Sequence, residues 1–524
     1  MDEQNFLNQL LEYYDISLEE YEFLTRDISI ADLPNPQDFD GMKEALKVVL
    51  EAMKKKDKII VYGDYDADGV MSTSIIVKAF MHLDYKVNYY IPSRYLDGYG
   101  INLQKAKEIV AKGYNLLITV DNGISALEAL EYCRAHGMKI IVIDHHEKGE
   151  TLPTVEAIIH PQFSKFPSLK TSAGFVSFMF ATALLGRYDK YLMTLGAISI
   201  VTDMMPLKGY NRDILRYTFK NFQFGEFKNL DLMSEGNDFD ETTIGMKIGP
   251  KINAVGRVIK NTNINRLVTY FTSNDQEVIS ELYTWIESVN EERKAKSKIA
   301  IDGLEAFDES DDAIIALVDC DEGLIGIVAN KILNEYHKPV VVFTKDMTNP
   351  GILKGSCRSL EGFNIVKAFE GVEQFTITSG GHELAGGLTI AQKDLEGFSA
   401  RFKEIAKKHP PYVISRETIL LKLIDVNFVN YEIVQTLAPF GEEWKSPLFL
   451  LERLKTSSFT FSKTGEHIMT SLSFNTKLVG FNISKTMLID RPYVDLTGRM
   501  NLHSYKGSQT LQFKVEEILP NIEV

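Results

Sequence analysis

The stretch 58–82, KIIVYGDYDADGVMSTSIIVKAFMH, decides the fold of the amino-terminal half of the chain. It opens on an apolar run of strand length, KIIVYG (58–63). It then passes through Asp64-Tyr65-Asp66-Ala67-Asp68-Gly69 and continues as a helix-length amphipathic stretch over 70–82. Further apolar runs follow at KVNYYI (86–91), NLLITV (115–120) and KIIVID (139–144), with a second helix-length stretch at 125–136. Strands alternating with helices predict a largely parallel sheet with helices on its faces. Ligands of such a sheet sit beyond the carboxyl ends of its strands. Three polar clusters fall at that edge: Asp64 to Gly69, then Asp121-Asn122-Gly123, then Asp144-His145-His146. A fourth aspartate, Asp203, ends the nearly all-apolar helix YDKYLMTLGAISIVTD (188–203).

On either side of these clusters, residues 1–45 read as short helices and 46–262 as the main α/β domain. Within 263–305 runs DQEVISELYTWIESVNEERKAKSKIAID, where Val278, Ile279, Leu282, Ile286 and Val289 keep helical spacing among charges, the pattern of a long exposed connecting helix. A second, smaller α/β domain occupies 306–410, with strands AIIALV (313–318) and PVVVFT (339–344) around a helix at 323–336. After Pro410-Pro411 the texture becomes short β-rich runs, which predicts a small β-barrel over 411–524.

Composition sets few limits. The 524 residues are 44 % hydrophobic and 25 % charged, ordinary for a globular chain with several cores. Cys133, Cys320 and Cys357 form no CxxC pair, so neither a disulfide framework nor a zinc–thiolate site is expected. The acidic start MDEQNFLNQLLEYYD is unlike a signal peptide, and no apolar run approaches the ~20 residues of a membrane helix. A cytoplasmic protein without a membrane partner is the expectation. The net charge of −15 argues against nucleic acid only weakly, because phosphate contacts need a local basic groove.

Taken singly, an aspartate after a strand is most often a helix cap or a turn residue, and adjacent histidines are as often packing as chemistry. Asp203 resists that reading, since a carboxylate at a helix C-terminus opposes the macrodipole. Carboxylates crowded at one sheet edge repel one another unless cations neutralise them. Aspartate oxygens and imidazole nitrogens without thiolates suit Mn²⁺ or Mg²⁺, and two such ions would activate water and stabilise a phosphodiester transition state. Elsewhere, glycine-flanked donors at Ser356 and Arg358 (KGSCR, 354–358) and at Gly380, Gly381 and His382 (SGGH, 379–382) suit an oxyanion, whereas IGPKINAVGR (248–257), punctuated by glycine and proline and ending in Arg257, reads in isolation as a loop with a surface arginine.

In order and spacing, GDYDADGVMST, VDNG, VIDHHE and VTDMMPL resemble the four motifs of the DHH phosphoesterase family. PKINAVGR, EGLIGIVANKI, KGSCRS and GGHELAGG, with APFGEEWKSPLF (438–449) and the closing LQFKVEEI, resemble its RecJ branch from about 45 to 520. The resemblance implies a DHH domain, a DHHA1 domain and an oligonucleotide-binding (OB) barrel. It implies Asp64, Asp66, Asp68, Asp121, His145 and Asp203 as metal ligands, and His146, with Asp144, as the catalytic pair. Asn253, Arg257, Ser356, Arg358, Gly380, Gly381 and His382 become substrate contacts. Tyr62 stands where the family often has a histidine, which leaves open whether Asp64 or Asp68 ligates directly. Cys320-Asp321, Lys331 and Cys357 also depart from the branch, where Trp-His, Arg and Ala are usual.

The implied activity is metal-dependent 5′-to-3′ hydrolysis of single-stranded DNA to nucleotides, in recombination and repair, with a single-strand-binding protein and a helicase as family partners. Two rivals are a small-substrate phosphodiesterase acting on nanoRNA or cyclic dinucleotides and an inactive replication scaffold. In the barrel, Tyr431, Phe440, Trp444 and Tyr505 are the candidates for stacking bases, although aromatics of small barrels are mostly core.

Overall fold

The computed structural model describes residues 2–166, 169–304, 307–308, 310–410, 417–505 and 508–519. Its backbone contacts divide the chain into two compact units. One comprises Pro34–Met205 and Thr218–Ile414; the other comprises Met1–Leu33, Pro206–Tyr217 and Ser415–Val524.

The larger unit holds two sheets. Strands β1 (Ile59–Tyr62), β2 (Asn88–Tyr90), β3 (Leu116–Val120), β4 (Lys139–Ile143) and β5 (Ala157–Ile159) form an all-parallel sheet in the order β2-β1-β3-β4-β5. β1 and β3 are buried along their whole length because helices cover both faces, which explains why they read as unbroken apolar runs. Tyr62 pairs with Thr119, and Val120 with Ile143, so the carboxyl ends of the central strands stop level with one another. Behind this edge, the helix Ala67–His82 packs against two more buried helices, Ala173–Leu185 and Lys190–Thr202.

The second sheet orders β6 (Ile314–Leu317), β7 (Val340–Lys345), β8 (Ile352–Arg358), β9 (Thr376–Gly381) and β10 (Ala385–Ala391) as β6-β7-β8-β10-β9, with only β6 and β7 parallel. Between the two sheets in sequence lie the helices Gly249–Val258 and Gln276–Asp302. The long helix buries Ile279, Leu282, Ile286 and Val289, the stripe its sequence spacing defines, and packs along the Gly249 helix.

The smaller unit carries β11 (Ile419–Leu421), β12 (Phe449–Lys455), β13 (Ile468–Ser473), β14 (Thr476–Gly480), β15 (Tyr493–Tyr505) and β16 (Ser508–Leu519) in one sheet of order β11-β12-β15-β16-β14-β13. The helix Glu3–Tyr13 belongs here: Phe6 and Leu10 are fully buried among Ile419, Phe449, Leu496 and Phe513. Reading 1–45 as a separate segment misses this, because the partner strands lie over 400 residues away in sequence. Three of the base-stacking candidates are packing residues. Tyr431 and Phe440 lie against the same core, and Trp444 stacks on Tyr14 with centroids 4.6 Å apart while its Nε1 donates to the Leu437 carbonyl. The side chain of Tyr505 lies outside the described residues. Among the described residues no helix is long and apolar enough to cross a membrane.

Candidate metal and phosphate site

Each acidic motif leaves the sheet at the same edge, and local structure fixes each carboxylate. Asp66 is the N-cap of the Ala67 helix and accepts from the Gly69 amide at 3.1 Å. Asp68, in the first turn of the same helix, is buried and accepts from the Ala173 and Gly174 amides at 2.8 and 2.7 Å, from Ser72 Oγ at 3.2 Å and from Ser199 Oγ at 2.5 Å. Those two amides open the Ala173 helix, so a helix N-terminus holds this carboxylate. Gly174 permits it: a β-carbon there would stand 3.2 Å from Asp68 Oδ1 and clash with the Ser199 side chain. Asp121, at the end of β3, sits at φ 60°, in the left-handed region that aspartate enters more readily than most residues. Asn122 beside it donates to the carbonyls of Tyr62, Gly63 and Val120, tying the ends of β1 and β3 together.

His145 is the hub. Its Nε2 lies 3.2 Å from Asp121 Oδ1, 3.6 Å from Asp68 Oδ2 and 3.6 Å from Asp203 Oδ2. His146 is turned by Asp144, whose Oδ1 accepts from His146 Nδ1 at 2.8 Å and from the His145 amide at 2.8 Å; its Oδ2 accepts from the Ile124 amide at 2.9 Å. Asp144 is therefore fully engaged inside the protein, and it is His146, half-exposed, that faces outward. The Tyr99 hydroxyl stands 3.1 Å from His146 Nε2. Tyr62, in the place of the family's usual histidine, is buried and donates its hydroxyl to the Gly100 carbonyl.

The electrostatics show what the cluster lacks. Burial, and then Asp66, push Asp64 up to about 8. Burial, and then Asp68 and Asp66, push Asp203 up to about 9, and Asp121 is raised well above the carboxylate range by burial and four neighbouring aspartates. Burial would raise Asp144 too, but hydrogen bonding and charge from His146 outweigh it and hold it at about 2. Burial lowers His146, but the Asp144 hydrogen bond and charge outweigh this, and the imidazole is raised. Asp203 Oδ2 is buried without a hydrogen-bond donor. Ligand atoms within 4.8 Å of one another group Asp64, Asp66 and Asp121; Asp68, His145 and Asp203; and Asp121, His145 and His146. An orphaned carboxylate oxygen among mutually repelling acids, with oxygen and imidazole donors only, fits a hard divalent cation.

Facing this acidic edge within the same unit are four arginines, Arg94, Arg257, Arg293 and Arg358. Burial lowers Arg257 to about 10, helped by the charges of the other three. None of the four forms an ion pair among the described residues. Arg94 lies over the Tyr65 ring at 4.1 Å, Arg257 donates to the Gly323 carbonyl at 3.0 Å, and Arg358 donates to Ser356 Oγ at 3.0 Å. Close approach of backbones explains the glycines around them: a β-carbon on Gly256 would strike the Tyr65 carbonyl, and one on Gly326 would stand 2.9 Å from Arg358 Nη2. Asn253 accepts from the Ala67 amide at 2.9 Å, so it braces the first acidic loop. Gly380, Gly381 and His382 lie at the β9–β10 turn, two strands from Ser356 and Arg358, with β10 between them; Gly387 pairs with both Ser356 and Gly380. The His382 side chain is exposed and makes no hydrogen bond among the described residues. Sequence reasoning missed Arg94, Arg293, Tyr99 and the whole Ala173 helix.

Known proteins are similar to this chain. Residues 58–200 match the model for the DHH family, N-terminal domain, 311–408 the DHHA1 domain and 419–517 the RecJ OB domain. The single-stranded-DNA-specific exonuclease RecJ of Bacillus subtilis is 30 % identical over 93 % of this chain, which spans 64 % of that relative's length. The protein of the same name from Haemophilus influenzae is 27 % identical over 94 % of this chain and 93 % of its own. A solved structure of exonuclease RecJ bound to manganese superposes with a TM-score of 0.63 at 28 % identity, over 73 % of this chain and 97 % of that one. The fold of RecJ from Thermus thermophilus matches over the whole chain and 79 % of its own, with a TM-score of 0.82 at 23 % identity. With three family domains in the RecJ order and relatives of that name covering more than nine-tenths of its length, the chain belongs to the RecJ branch of the DHH family.

Proposed function

We propose that this chain is a metal-dependent exonuclease that degrades single-stranded DNA from its 5′ end to nucleotides. The observation that carries the reading is the juxtaposition, in one unit, of an acidic cluster short of cations and an arginine group short of anions. Asp64, Asp66, Asp121, His145 and Asp203, with the remaining lone pairs of Asp68, would hold two Mn²⁺ or Mg²⁺ ions. Bound there, such ions acidify water and neutralise charge on the phosphoryl oxygens.

The side chains supply the rest. Arg257 binds the scissile phosphate, and Arg94, Arg358 and Ser356 take the phosphate at the 5′ end. Gly380, Gly381 and His382 flank the same strand from the β9–β10 turn. Water adds to phosphorus and the bond to the leaving sugar O3′ breaks. The proton on His146 passes to that oxygen, leaving a free 3′-hydroxyl on the nucleotide and a 5′-phosphate on the strand. Asp144 acts through His146, as a positioning residue that keeps the imidazole turned and charged. Residues 46–262, 263–305, 306–410 and 411–524 would then serve as catalytic domain, connector, terminal-phosphate domain and strand-binding domain. Work in the cytoplasm on recombination and repair, beside a single-strand-binding protein and a helicase, follows from the family.

The test is digestion of linear and circular single strands, labelled at either end, with Mn²⁺ and with chelator. Release of mononucleotide first from the 5′ label, only from linear strands and only with metal, is the expected result. Turnover of dinucleotides alone would favour the small-substrate reading, and no turnover at all the scaffold.

A further inference from the structure

The Gln276–Asp302 helix reads in sequence as an exposed connector, and most of its charges behave that way. Glu291 pairs with Lys294 at 2.7 Å, Glu292 with Lys296 at 2.8 Å, and Lys296 also with Asp321 at 2.9 Å. Arg293 does not. It is half-buried, it forms no ion pair among the described residues, and its Nη2 donates only to Asn290 Oδ1 on its own helix, at 2.7 Å. Its Nε is buried and has no acceptor. Burial lowers its pKa, and the charge of Glu291, beyond ion-pair distance, only partly offsets that cost. Buried Arg212 also leaves its Nε without an acceptor, but its two terminal nitrogens donate to the carbonyls of Leu437, Ala438 and Pro439, whereas Arg293 has the single bond to Asn290.

Arg293 lines a cavity of about 340 Å³ together with Arg257, Asn253, Thr202, Met204, Pro250 and Ile327. Thr202 and Met204 flank Asp203, so the cavity begins at the rim of the acidic cluster. Gly249 keeps the opposite wall close, since a β-carbon there would lie 2.7 Å from the Thr202 side chain. The cavity thus joins two guanidiniums that stand outside any ion pair among the described residues to apolar side chains: Met204, Pro250 and Ile327. That combination fits a phosphate ester attached to a flat ring.

We propose that this cavity seats one nucleotide beside the scissile phosphodiester, with Arg293 and Arg257 on its phosphate and Met204, Pro250 and Ile327 against its base. The proposal rests on the exonuclease reading and adds a subsite to it. Arg293 becomes a substrate-binding residue supplied by the connector helix, and the base beside the cut becomes something the enzyme feels.

The experiment measures binding of a 5′-phosphorylated single-stranded oligonucleotide to the full chain with Ca²⁺ in place of Mn²⁺, by fluorescence anisotropy over a salt series. Arg293→Ala should weaken binding about tenfold and flatten the slope of log K against log salt by about 0.7, the share of one phosphate on a single strand. Arg293→Lys should restore most of the slope, because it restores the charge. A slope unchanged in Arg293→Ala overturns the assignment. A second arm, independent of that variant's folding, compares wild type with Ile327→Trp on strands carrying one abasic residue at successive positions. Wild type should slow at least fivefold when the missing base flanks the cut. The variant, its cavity filled, should lose that dependence and treat the abasic and intact strands within twofold of each other. Equal sensitivity in both proteins overturns the proposal. Wild type that neither binds nor degrades single strands overturns the exonuclease reading, and the subsite with it. Wild type that does both, beside an unchanged slope, removes the subsite alone.

Discussion

The acidic cluster and the arginine group meet the same difficulty, charge kept out of water, with opposite means of relief. Asp64, Asp121 and Asp203 can each take up a proton, and their upward shifts record that tendency. The arginines cannot shed theirs in the physiological range: even Arg257, the most perturbed, falls only to about 10. One pole is therefore governed by pH and metal, and the other by phosphate and ionic strength. This is how a chain of net charge −15 can hold a polyanion. With the acids covered by cations, as proposed, the charge left for a phosphate to meet would be that of the arginines.

The largest effect that would break this picture comes from the acidic pole. Chelation, or Asp203→Asn, should cut nuclease turnover at least about a thousandfold, since Lewis-acid stabilisation supplies several kcal/mol and each ~1.4 kcal/mol is a decade. The same Asp203→Asn variant, without metal, should melt higher than wild type, because it removes a buried carboxylate oxygen that has no donor. A variant that keeps activity, or that melts lower in chelator, sinks the metal assignment. The pH dependence has a definite sign. Folded Asp64 and Asp203 hold protons up to about 8 and 9, whereas an unfolded aspartate loses its proton near ~3.9. Metal-free stability is therefore full below about 4 and declines as pH rises toward 8–9. Mn²⁺, which takes the charged form, should raise the melting temperature more at pH 8 than at pH 6; calorimetry at the two values decides it.

His146 and Asp144 come next. His146→Ala should lose roughly 10²–10⁴-fold in kcat, the range of general acid catalysis, and Asp144→Asn roughly 10–100-fold, the range for a residue that orients another. If Asp144 acts only through His146, the double variant should be no slower than His146→Ala. Additive losses would give Asp144 a role of its own.

The two poles also differ in how far they can be read from the chain. Asp64, Asp66, Asp121 and Asp144 were legible because a parallel sheet forces every strand to end at one edge, so local motifs imply a shared place; Asp203 was legible because a carboxylate at a helix C-terminus opposes the macrodipole. Arg94 and Tyr99 obey the same rule, on the loop after β2. But PSRYLDGYG (92–100), punctuated by proline and glycine, reads as an ordinary surface loop. The Ala173 helix offered a signal too, a serine cap before an apolar run, though nothing in it shows that its first amides reach Asp68 across 105 residues. Arg293 stands in EERKAK among charges of the same kind, and only packing against the Gly249 helix distinguishes it. The helix Glu3–Tyr13 escaped for the same reason: its amphipathic face is plain, but the sheet it covers is at the other end of the chain.

The smallest predicted effect moves the strand-binding aromatic of the smaller unit. Trp444, Tyr431 and Phe440 are taken up by packing, so truncating them should cost stability before it costs DNA. Two exposed phenylalanines remain beside the sheet: Phe474, 98 % exposed at the β13–β14 turn, and Phe481, 54 % exposed just after β14. Phe481 is the better platform because its surroundings are already built. The His467 ring stands edge-on at 5.6 Å, and the Asn482 amide donates to His467 Nδ1 at 2.9 Å, which fixes that imidazole. Lys514 Nζ lies 6.0 Å from the Phe481 ring, and Lys514 pairs with Val479 of β14 and Arg499 of β15 across the sheet. A ring beside an ammonium offers stacking to a base and charge, from Lys514, to the next phosphate; Arg499 on the same strand pair is already taken by Glu516 at 2.6 Å. Phe481→Ala should weaken binding of a long single strand by about 1 kcal/mol, roughly fivefold, and leave a dinucleotide unaffected. Phe481→Tyr should bind as wild type, since it keeps a π-face. Trp444→Phe should lower the melting temperature with binding unchanged. If Trp444→Phe costs affinity and Phe481→Ala does not, the strand runs over the other face of this sheet.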